Sequence, residues 1–427
     1  MGAAVLFLSL LVMILCGMPI AISLAMSSAL TILLFGTATP MLQVRSIVTA
    51  VSSYPLLAIP LFILAGDLMY TGGLSKRLVR MADVWLGSVK ASLAYATVAA
   101  STFFAAISGS GPATVAAIGS NVVPEMEKRG YPKDYSTGLA AAAGIVGVLI
   151  PPSIPFVMYG ISSGASVSTL FMAGIIPGLL FSIAFCIVAR FLYSKRNIQC
   201  EAHKFDLKEA LVATKDGIWA ILAPIIVLGG IYGGFFSPTE AAAISVVYAI
   251  FIGFVVYREM TWKTLVDAFV KSTKTTATCM GLVAFASTFG RLLTLMQVPN
   301  DLARFISGIS SNKYVILLLI NVFLIFVGMF METVASIIIL TPILLPVVTG
   351  FGVDPIQFGV MLTANLAIGF CTPPLGVNLF VASGISGLSV EKITKAIMPY
   401  LVVMLVIQLL ITVIPQLSMA LPSLLMG

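Results

Sequence analysis

Apolar runs of membrane-spanning length alternate with short polar or basic segments along most of the chain. A helix needs about 20 mostly apolar residues to cross a bilayer, so the runs leave room for roughly ten to twelve crossings. The pattern predicts an all-α polytopic membrane protein. The first run, "MGAAVLFLSLLVMILCGMPIAISL", has no basic segment before it and stays apolar beyond the length of a signal peptide. We interpret it as the first span rather than a cleaved signal.

One of these runs, Leu139–Tyr159, contains residues that break helices. Its segment "GVLIPPSIPFVMYG" at 147–160 carries Pro151, Pro152 and Pro155. Each proline removes a backbone donor and clashes with the preceding turn, which costs about 3 kcal/mol in a helix interior. Irregular backbone at membrane depth is tolerated only where it is buried in protein or lines a cavity. The segment therefore predicts a membrane helix that is broken at a functional site.

The second half of the chain repeats glycine and proline positions of the first half at one fixed spacing. "GVLIPPSIPF" at 147 resembles "GFCTPPLGVN" at 369, and six glycine or proline positions coincide without a gap. The coinciding pairs are Pro124 and Pro346, Gly130 and Gly352, Gly147 and Gly369, Pro151 and Pro373, Pro152 and Pro374, and Pro177 and Pro399. Since both residue types are minor ones, this register predicts an old structural duplication, with a polar linker between the halves near 194–217.

Charge predicts how the halves are oriented. Basic residues flank the apolar stretch Ala91–Val123 on both sides, and basic loops favour the cytoplasm. Arms of about 15 residues would reach roughly 22 Å, short of a bilayer core of about 30 Å, which predicts a re-entrant hairpin that turns at Ser108–Pro112. An equivalent hairpin is predicted at Tyr314–Thr349, with its tip at Gly328–Ser336. Its flanks are less basic, which favours entry from the opposite side, so we expect inverted repeats.

Composition excludes several classes of function. The chain is 59% hydrophobic and 9% charged, whereas a soluble domain carries about 25% charged residues. The net charge of +7 fits basic cytoplasmic loops. The sequence shows no basic face of the kind that binds nucleic acid. The five cysteines form no CxxC pair, which argues against a disulfide framework or a zinc site. The single histidine, His203, argues against haem, a histidine-based metal site or a histidine proton relay. The sequence contains no GxxxxGK[ST] segment, so it gives no sign of ATP hydrolysis.

Inverted repeats, each with a re-entrant hairpin and a broken helix, are typical of secondary transporters with a site at the bilayer midplane. At this point the sequence resembles the large membrane subunit, DctM-type, of tripartite ATP-independent periplasmic (TRAP) transporters. The resemblance covers essentially the whole chain and is most specific at "SGSGPATVAAIG" (108–119), "GVLIPPSIPFVMYG" (147–160) and "GFCTPPLGVNLFVA" (369–382). It implies a multi-pass protein of the bacterial inner membrane that is not an enzyme.

The resemblance also implies partners and a mechanism. Such proteins work with a small membrane subunit and a soluble periplasmic substrate-binding protein, and they import organic acids driven by sodium ions. Their fold is similar to that of divalent-anion/sodium symporters, an elevator-type ion-transporter fold in which a transport domain moves substrate. We expect two or more sodium ions and an organic acid substrate, with sialic acid as the first choice and a C4-dicarboxylate as the second.

On this basis the chain divides into five blocks. These are 1–90 (scaffold helices and interfacial arm of repeat 1), 91–193 (transport-domain half 1, with hairpin 91–130 and broken helix 135–161), 194–217 (polar cytoplasmic linker), 218–312 (scaffold helices and arm of repeat 2) and 313–427 (transport-domain half 2, with hairpin 313–350, broken helix 356–386 and the C-terminal helix). The segments "DVWLGSVKASL" and "YREMTWKTLVDAFVKSTK" combine apolar with basic positions. We interpret them as interfacial amphipathic helices, with solvated loops as the alternative.

The hairpin tips and helix breaks supply the candidate site residues. Carbonyls at helix ends attract cations and N-terminal amides attract anions. The predicted sodium ligands are Ser108, Gly111, Gly147 and Ile150 at the first tip and break, and Gly328, Gly369 and Thr372 at the second. The predicted substrate contacts are Ser108, Ser110, Ser153, Glu332, Thr333 and Asn378. An ordinary turn or a packing kink remains the alternative for the tips and breaks, and a structural ion pair or protonated acid for Glu332.

Two further ionisable residues lie in apolar runs. Asp67 and Arg291 nearly coincide under the repeat. They predict a scaffold ion pair between the halves, while a clamp by Arg291 on a substrate carboxylate remains the alternative. For the whole protein, the alternative functions are a stand-alone sodium/organic anion symporter, an intramembrane enzyme and a passive channel. The enzyme is disfavoured because the sequence lacks paired aspartates or a Ser/His constellation.

Overall fold

A computed structural model describes residues 2–36, 38–87, 89–200, 206–310 and 312–425, so His203 lies outside the described residues. The described part of the chain is built of helices without strands. Nine of its helical segments are long and apolar enough to cross a membrane, and six apolar helices are shorter. The all-α polytopic prediction is confirmed. The number of long segments is below the predicted ten to twelve because several apolar runs are divided into shorter helices.

The described residues of the first half form eleven α-helices. They are α1 (Gly2–Leu15), α2 (Ile20–Phe35), α3 (Pro40–Val51), α4 (Ala58–Thr71), α5 (Leu74–Leu86), α6 (Ser92–Ser108), α7 (Gly111–Lys128), α8 (Lys133–Ala143), α9 (Val146–Leu149), α10 (Ile154–Ser163) and α11 (Val167–Lys195). A 3₁₀ turn, Tyr54–Leu57, leads into α4. Thus α6 and α7 form the first hairpin, and α8, α9 and α10 form the first broken helix.

Where the structure describes it, the second half forms ten α-helices. They are α12 (Leu207–Tyr232), α13 (Pro238–Phe251), α14 (Trp262–Leu295), α15 (Val298–Ile309), α16 (Lys313–Phe330), α17 (Thr333–Gly350), α18 (Pro355–Gly369), α19 (Val377–Ser386), α20 (Val390–Val413) and α21 (Gln416–Leu425). A π-helical turn, Ile252–Val256, follows α13. Here α16 and α17 form the second hairpin, and α18 and α19 form the second broken helix.

Equivalent elements recur at the spacing that the sequence predicts. In the register that sets Pro151 on Pro373, helix α17 begins and ends where α7 does, and α18 begins where α8 does. Packing is also exchanged between the halves: α19 packs on α7, and α10 packs on α17. This exchange makes the hairpins and broken helices one packed unit. The opposite orientation of the halves in the membrane stays a prediction.

Side-chain caps start the helices that form the hairpins and breaks. The Ser110 hydroxyl accepts from the Ala113 amide at the start of α7, and the Glu332 carboxylate accepts from the Ala335 amide at the start of α17. These two caps also occupy equivalent positions in the register of the repeat. A cap satisfies an amide that the first helical turn leaves without a partner. The same backbone device therefore ends the turn at both hairpin tips, although the capping residue differs.

Several local predictions differ from the structure. The first apolar run is two helices, α1 and α2, because Gly17 adopts a φ of +81° and Pro19 follows it. The hairpin arms α6 and α7 have 17 and 18 residues, so their length alone does not distinguish a re-entrant hairpin from two spans. The linker is shorter than 194–217, since α12 begins at Leu207.

The amphipathic segments are also placed differently. The first amphipathic helix is α5, which begins before "DVWLGSVKASL" and ends at Leu86. Ion pairs fix α5 on both sides: Arg77 pairs with Asp216 of α12 at 3.1 Å, and Asp83 pairs with Arg129 at 2.6 Å. The second segment begins at Tyr257, before α14, and from Trp262 onward it forms the start of this continuous 34-residue helix. No proline lies within α14, so no residue removes a backbone donor and ends the helix after this segment.

Candidate functional site

Both hairpin tips and both helix breaks line one cavity of about 390 Å³. The first tip contributes Ser108–Ala113 and the second contributes Glu332–Val334. The breaks contribute residues that include Val148 and Phe370. One face of α4 and one face of α14 complete the lining. The cavity therefore lies between the packed hairpin and broken-helix unit and two helices of the predicted scaffold.

Oxygen atoms cluster at the first hairpin tip. The Ser108 hydroxyl lies 3.0 Å from the Thr114 hydroxyl, which donates to the Ser110 carbonyl oxygen at 2.9 Å. Ser108 is 2% exposed, so its hydroxyl is closed off from bulk solvent. The carbonyl oxygen of Gly109 accepts from the Ile154 amide, which ties the tip to the first break. Ser108, Ser110 and Gly111 all line the cavity at this tip, and their role as ligands stays a prediction.

Gly147 packs directly behind these oxygens. A Cβ built on Gly147 would collide with the Thr114 hydroxyl and lie 2.7 Å from the Ser110 carbonyl oxygen. Only glycine fits this approach of the first break to the first tip. The Ile150 amide donates to the Val146 carbonyl oxygen and its side chain packs against Gly178 of α11, so its role as a sodium ligand stays a prediction.

The second tip and break meet through two glycines. A Cβ on Gly369 would overlap the backbone of Gly328, and the Leu375 amide donates to the Met329 carbonyl oxygen at 3.3 Å. Thr372 lies in the break, where its hydroxyl donates to the Ile368 carbonyl oxygen at 2.9 Å. The structure therefore brings Gly328 and Gly369 together, while the Thr372 hydroxyl is engaged within its own loop. The Pro151–Pro152 and Pro373–Pro374 bonds are both cis.

Glu332 and Thr333 face the cavity from the second tip. The Glu332 side chain is exposed to it and accepts from the Ala335 amide at 3.1 Å. The Thr333 hydroxyl is buried and has no hydrogen-bond partner among the described residues. A buried hydroxyl without a partner is costly and requires an explanation. A ligand in the cavity would supply the missing partner.

Ser153 is placed differently from the predicted substrate contact. It is fully buried, it is not among the residues that line the cavity, and its hydroxyl donates to the Val148 carbonyl oxygen at 2.5 Å. The same hydroxyl accepts from the Phe156 amide. The structure thus gives Ser153 the role of capping α10, because a hydroxyl directly after a break also satisfies the amides of the next helix.

Asn378 lies beneath the cavity lining. Its amide nitrogen donates to the Ala141 carbonyl oxygen at 3.2 Å, while its side-chain oxygen has no partner among the described residues. A Cβ on Gly144 would lie 3.0 Å from this amide nitrogen and 3.1 Å from the Gly111 carbonyl oxygen. Asn378 therefore comes close to the first tip and break, although it belongs to the second broken helix.

The predicted pair between Asp67 and Arg291 is wrong. Asp67 pairs with Lys271 of α14, with Lys271 Nζ 2.5 Å from Asp67 Oδ1. Arg291 lies twenty residues further along α14, about 30 Å from Lys271 at 1.5 Å per residue, and lines a different cavity with Ser162. Asp67 does join the two halves as expected, but its partner is Lys271, and the substrate clamp by Arg291 has no support at this cavity.

Sequence reasoning missed three residues of the site. Lys271 lines the cavity but stands in a segment that resembled an interfacial helix. Thr114 follows Ser110 by one helical turn, so its position on the tip face was available from the sequence. Gly144 precedes Pro151 of the first break by seven residues and packs against Val115 and Asn378, which depends on tertiary contacts that no local pattern encodes.

The donor set at the tips fits a small hard cation. Carbonyl oxygens at unwound helix ends are the typical ligands of sodium in transporters, and the first tip offers the Ser110 carbonyl with the Ser108 and Thr114 hydroxyls within 3.4 Å of one another. The second tip adds the unpartnered Thr333 hydroxyl and the Glu332 carboxylate. No group of three His, Cys, Asp or Glu side chains that would suit a transition metal occurs among the residues described.

The family model "Tripartite ATP-independent periplasmic transporter, DctM component" matches residues 7–417. The chain belongs to the DctM family. The isethionate TRAP transporter permease protein DctMQ of Oleidesulfovibrio alaskensis is 46% identical over 404 residues, which cover 94% of this chain and 64% of that protein. The chain thus spans less than two thirds of the length of this relative.

Other DctM-family relatives match over nearly their whole length. The C4-dicarboxylate TRAP transporter large permease protein DctM of Pseudomonas aeruginosa is 39% identical, with 94% of each chain covered. The sialic acid TRAP transporter large permease protein SiaM of Vibrio cholerae is 36% identical, with 96% of each covered. These relatives are named as permeases, and the DctM-family chain is a multi-pass protein of the inner membrane.

A solved structure shares the fold at low sequence identity. The crystal structure of the Alcanivorax borkumensis YdaH transporter matches with a TM-score of 0.65 and 16% identity, covering 86% of this chain and 87% of that chain. At this identity the match establishes the fold of the DctM-family chain and not its substrate.

Proposed function

We propose that this protein is the large permease of a sodium-coupled TRAP transporter that imports an organic acid. A small membrane subunit and a periplasmic substrate-binding protein complete the transporter, and the binding protein delivers the substrate. Two or more sodium ions bind at the hairpin tips together with the substrate. The single observation that carries this proposal is the cavity in which both tips and both breaks meet.

The tips provide the chemistry for ion coupling. Sodium binding at the Ser108–Ser110 tip would draw the Ser110 carbonyl and the two neighbouring hydroxyls inward, and Gly147 would follow because it packs on them. At the second tip, Glu332 supplies a negative charge that a cation neutralises. Without sodium, the free carboxylate and carbonyl oxygens repel an anionic substrate. The tips then close over the substrate only when these oxygens bind sodium, and this condition couples substrate transport to sodium transport.

An elevator motion is the mechanism that this packing supports. The hairpins and broken helices pack on one another across the halves, so they can move together as a transport domain. Helices α4 and α14 line the other side of the cavity and pack with α13 and α2 in the predicted scaffold. Movement of the first unit against the second would carry the cavity across the membrane.

The names of the relatives widen the choice of substrate. Isethionate, C4-dicarboxylates and sialic acid are all organic acids with an anionic group. The isethionate relative is 46% identical and the sialic acid relative 36%, so identity gives sialic acid no precedence. A cavity of about 390 Å³ lies in the usual range for small-molecule sites. We therefore propose an organic acid in general and retain all three as candidates.

The decisive experiment is uptake into proteoliposomes that contain this protein and its small subunit. Radiolabelled isethionate, succinate or N-acetylneuraminate is supplied with the binding protein, under an inward sodium gradient or with potassium in its place. We expect uptake only with sodium and with the binding protein. Uptake without the binding protein would instead support a stand-alone symporter, and uptake that ignores the gradient would indicate a passive channel.

A further inference from the structure

The wall of the cavity formed by α4 and α14 contains a fixed ion pair. Asp67 Oδ1 lies 2.5 Å from the Lys271 ammonium, and the Ser272 hydroxyl donates to Asp67 Oδ2 at 2.9 Å. The Asp67 side chain is 15% exposed, whereas that of Lys271 is 67% exposed. The carboxylate is thus held by two adjacent residues of α14, while the ammonium remains accessible from the cavity.

Lys271 retains free donors. An ammonium carries three N–H groups, and Asp67 Oδ1 is the one acceptor found for them among the described residues. Among the described residues that line the cavity, Lys271 is also the only cation, beside the two carboxylates Asp67 and Glu332. Lys271 is therefore the one cationic side chain of the described lining that can pair with an organic anion in this cavity.

The charges of the cavity are separated along α14. Gly66, next to Asp67, packs on the first tip, where a Cβ would lie 3.3 Å from Ser108 Cα. Glu332 caps α17 and is close enough to Cys279 of α14 for the two groups to interact electrostatically, and further along the same two helices Gly290 approaches Pro342. Cys279, the last α14 residue of the cavity, is eight residues or about 12 Å beyond Lys271. Lys271 is therefore grouped with the first tip, away from the carboxylate of the second.

We propose that Lys271 binds the acidic group of the substrate, that Asp67 is the residue that positions it, and that the cavity accepts substrates with a single acidic group. This inference rests on the proposed function and narrows its substrate class to monoanions. The acidic group sits between Lys271 and the N-terminal end of α7, whose dipole also favours an anion. The uncharged part of the substrate extends toward the apolar lining.

Charge balance limits the substrate to one acidic group. Asp67 and Lys271 neutralise each other, and an ionised Glu332 leaves one negative charge. With one sodium ion at each tip, the site then carries one net positive charge, which a monoanion cancels. A dianion would leave one uncompensated charge once the tips have closed over the substrate, and an unpaired charge that is removed from water is costly. Isethionate and N-acetylneuraminate meet this condition at neutral pH, whereas succinate does not.

The test compares Lys271→Gln with Lys274→Gln, which removes an exposed lysine of α14 that does not line the cavity. Two readouts are taken with the complete transporter. One is the KM of sodium-driven uptake for isethionate, N-acetylneuraminate and succinate, and the other is the thermal stabilisation of the purified membrane complex by each compound at saturating sodium. The second readout does not depend on transport, so it stays interpretable if sodium coupling itself fails.

We expect wild-type protein to be stabilised by at least one monoanion and less by succinate. Lys271→Gln raises the KM for that monoanion tenfold or more and abolishes the stabilisation, Lys271→Arg restores part of both, and Lys274→Gln behaves as wild type. Asp67→Asn leaves the ammonium unpaired and shifts the uptake ratio toward succinate, which a purely structural role would not do. The inference is overturned if Lys271→Gln has the same KM and the same stabilisation as wild type, or if succinate stabilises wild type more than the monoanions do. Both results leave sodium-driven uptake, and so the proposed function, in place. Loss of sodium dependence in wild type instead overturns the proposed function.

Discussion

Gly147→Ala tests whether the first tip binds sodium. The added Cβ would collide with the Thr114 hydroxyl and lie 2.7 Å from the Ser110 carbonyl oxygen, which must retreat by about 0.7 Å to reach ordinary contact at 3.4 Å. Without sodium these oxygens can move away. Sodium binding must draw them back against the methyl group, so the strain falls mainly on the bound state.

The expected magnitude follows from the cost of overpacking. An extra methyl group in a well-packed site costs about 1–3 kcal/mol, and each 1.4 kcal/mol corresponds to about a tenfold change in affinity. We expect the sodium concentration for half-maximal uptake to rise roughly tenfold. The assay is initial uptake rate into proteoliposomes against external sodium, with substrate and binding protein at saturation and protein amount matched by immunoblot.

Gly384→Ala provides the matched control. Gly384 lies in α19 of the second broken helix, and a Cβ there would meet nothing within 4 Å. The control should keep the wild-type sodium dependence. The reasoning fails if Gly147→Ala inserts normally and keeps the wild-type half-saturation, or if both variants are impaired alike, because the effect would then not come from the close approach at the tip.

Three further substitutions separate ligand contacts from structural roles. Glu332→Gln keeps an oxygen that can cap α17 but removes the negative charge, so sodium-driven uptake should fall while membrane insertion is normal. Glu391→Gln, at an exposed position of α20, serves as control. Unchanged sodium dependence in Glu332→Gln would remove Glu332 from the site. Ser153→Ala should lower the thermal stability of the purified protein, since a lost cap costs about 1 kcal/mol, with KM unchanged; a raised KM would return Ser153 to the substrate contacts. Thr333→Val removes a buried hydroxyl without a partner among the described residues, so stability should hold or rise, because such a group costs about 1–3 kcal/mol, while uptake falls. Lower stability with normal uptake would show that Thr333 is structural.

Glycine and proline made the backbone of the site predictable from the sequence. The tips observed between α6 and α7 and between α16 and α17 lie within the predicted ranges 108–112 and 328–336. The breaks fall at the paired prolines. These residues restrict φ or remove a donor wherever they occur, so they act locally and their effect can be recognised without a tertiary structure.

Side-chain partners were less predictable because they depend on which helices pack together. Asp67 was expected to pair with Arg291 because both are charged and occupy related positions. The register of α4 against α14 brings it to Lys271 instead. A serine after a helix break is equally suited to bind substrate or to cap the next helix, and the structure assigns Ser153 to capping. Residue type alone does not choose between such roles.

The two tips show how a duplicated backbone can serve unlike ligands. Ser110 and Glu332 are equivalent positions, and both accept the amide three residues later. The next turn is also shared, since the Thr114 and Ser336 hydroxyls donate to the carbonyl oxygens of Ser110 and Glu332. The backbone therefore requires only an oxygen at this position. The first tip carries no charged side chain and the second carries the Glu332 carboxylate, so the duplicated backbone presents a different charge to the cavity at each tip.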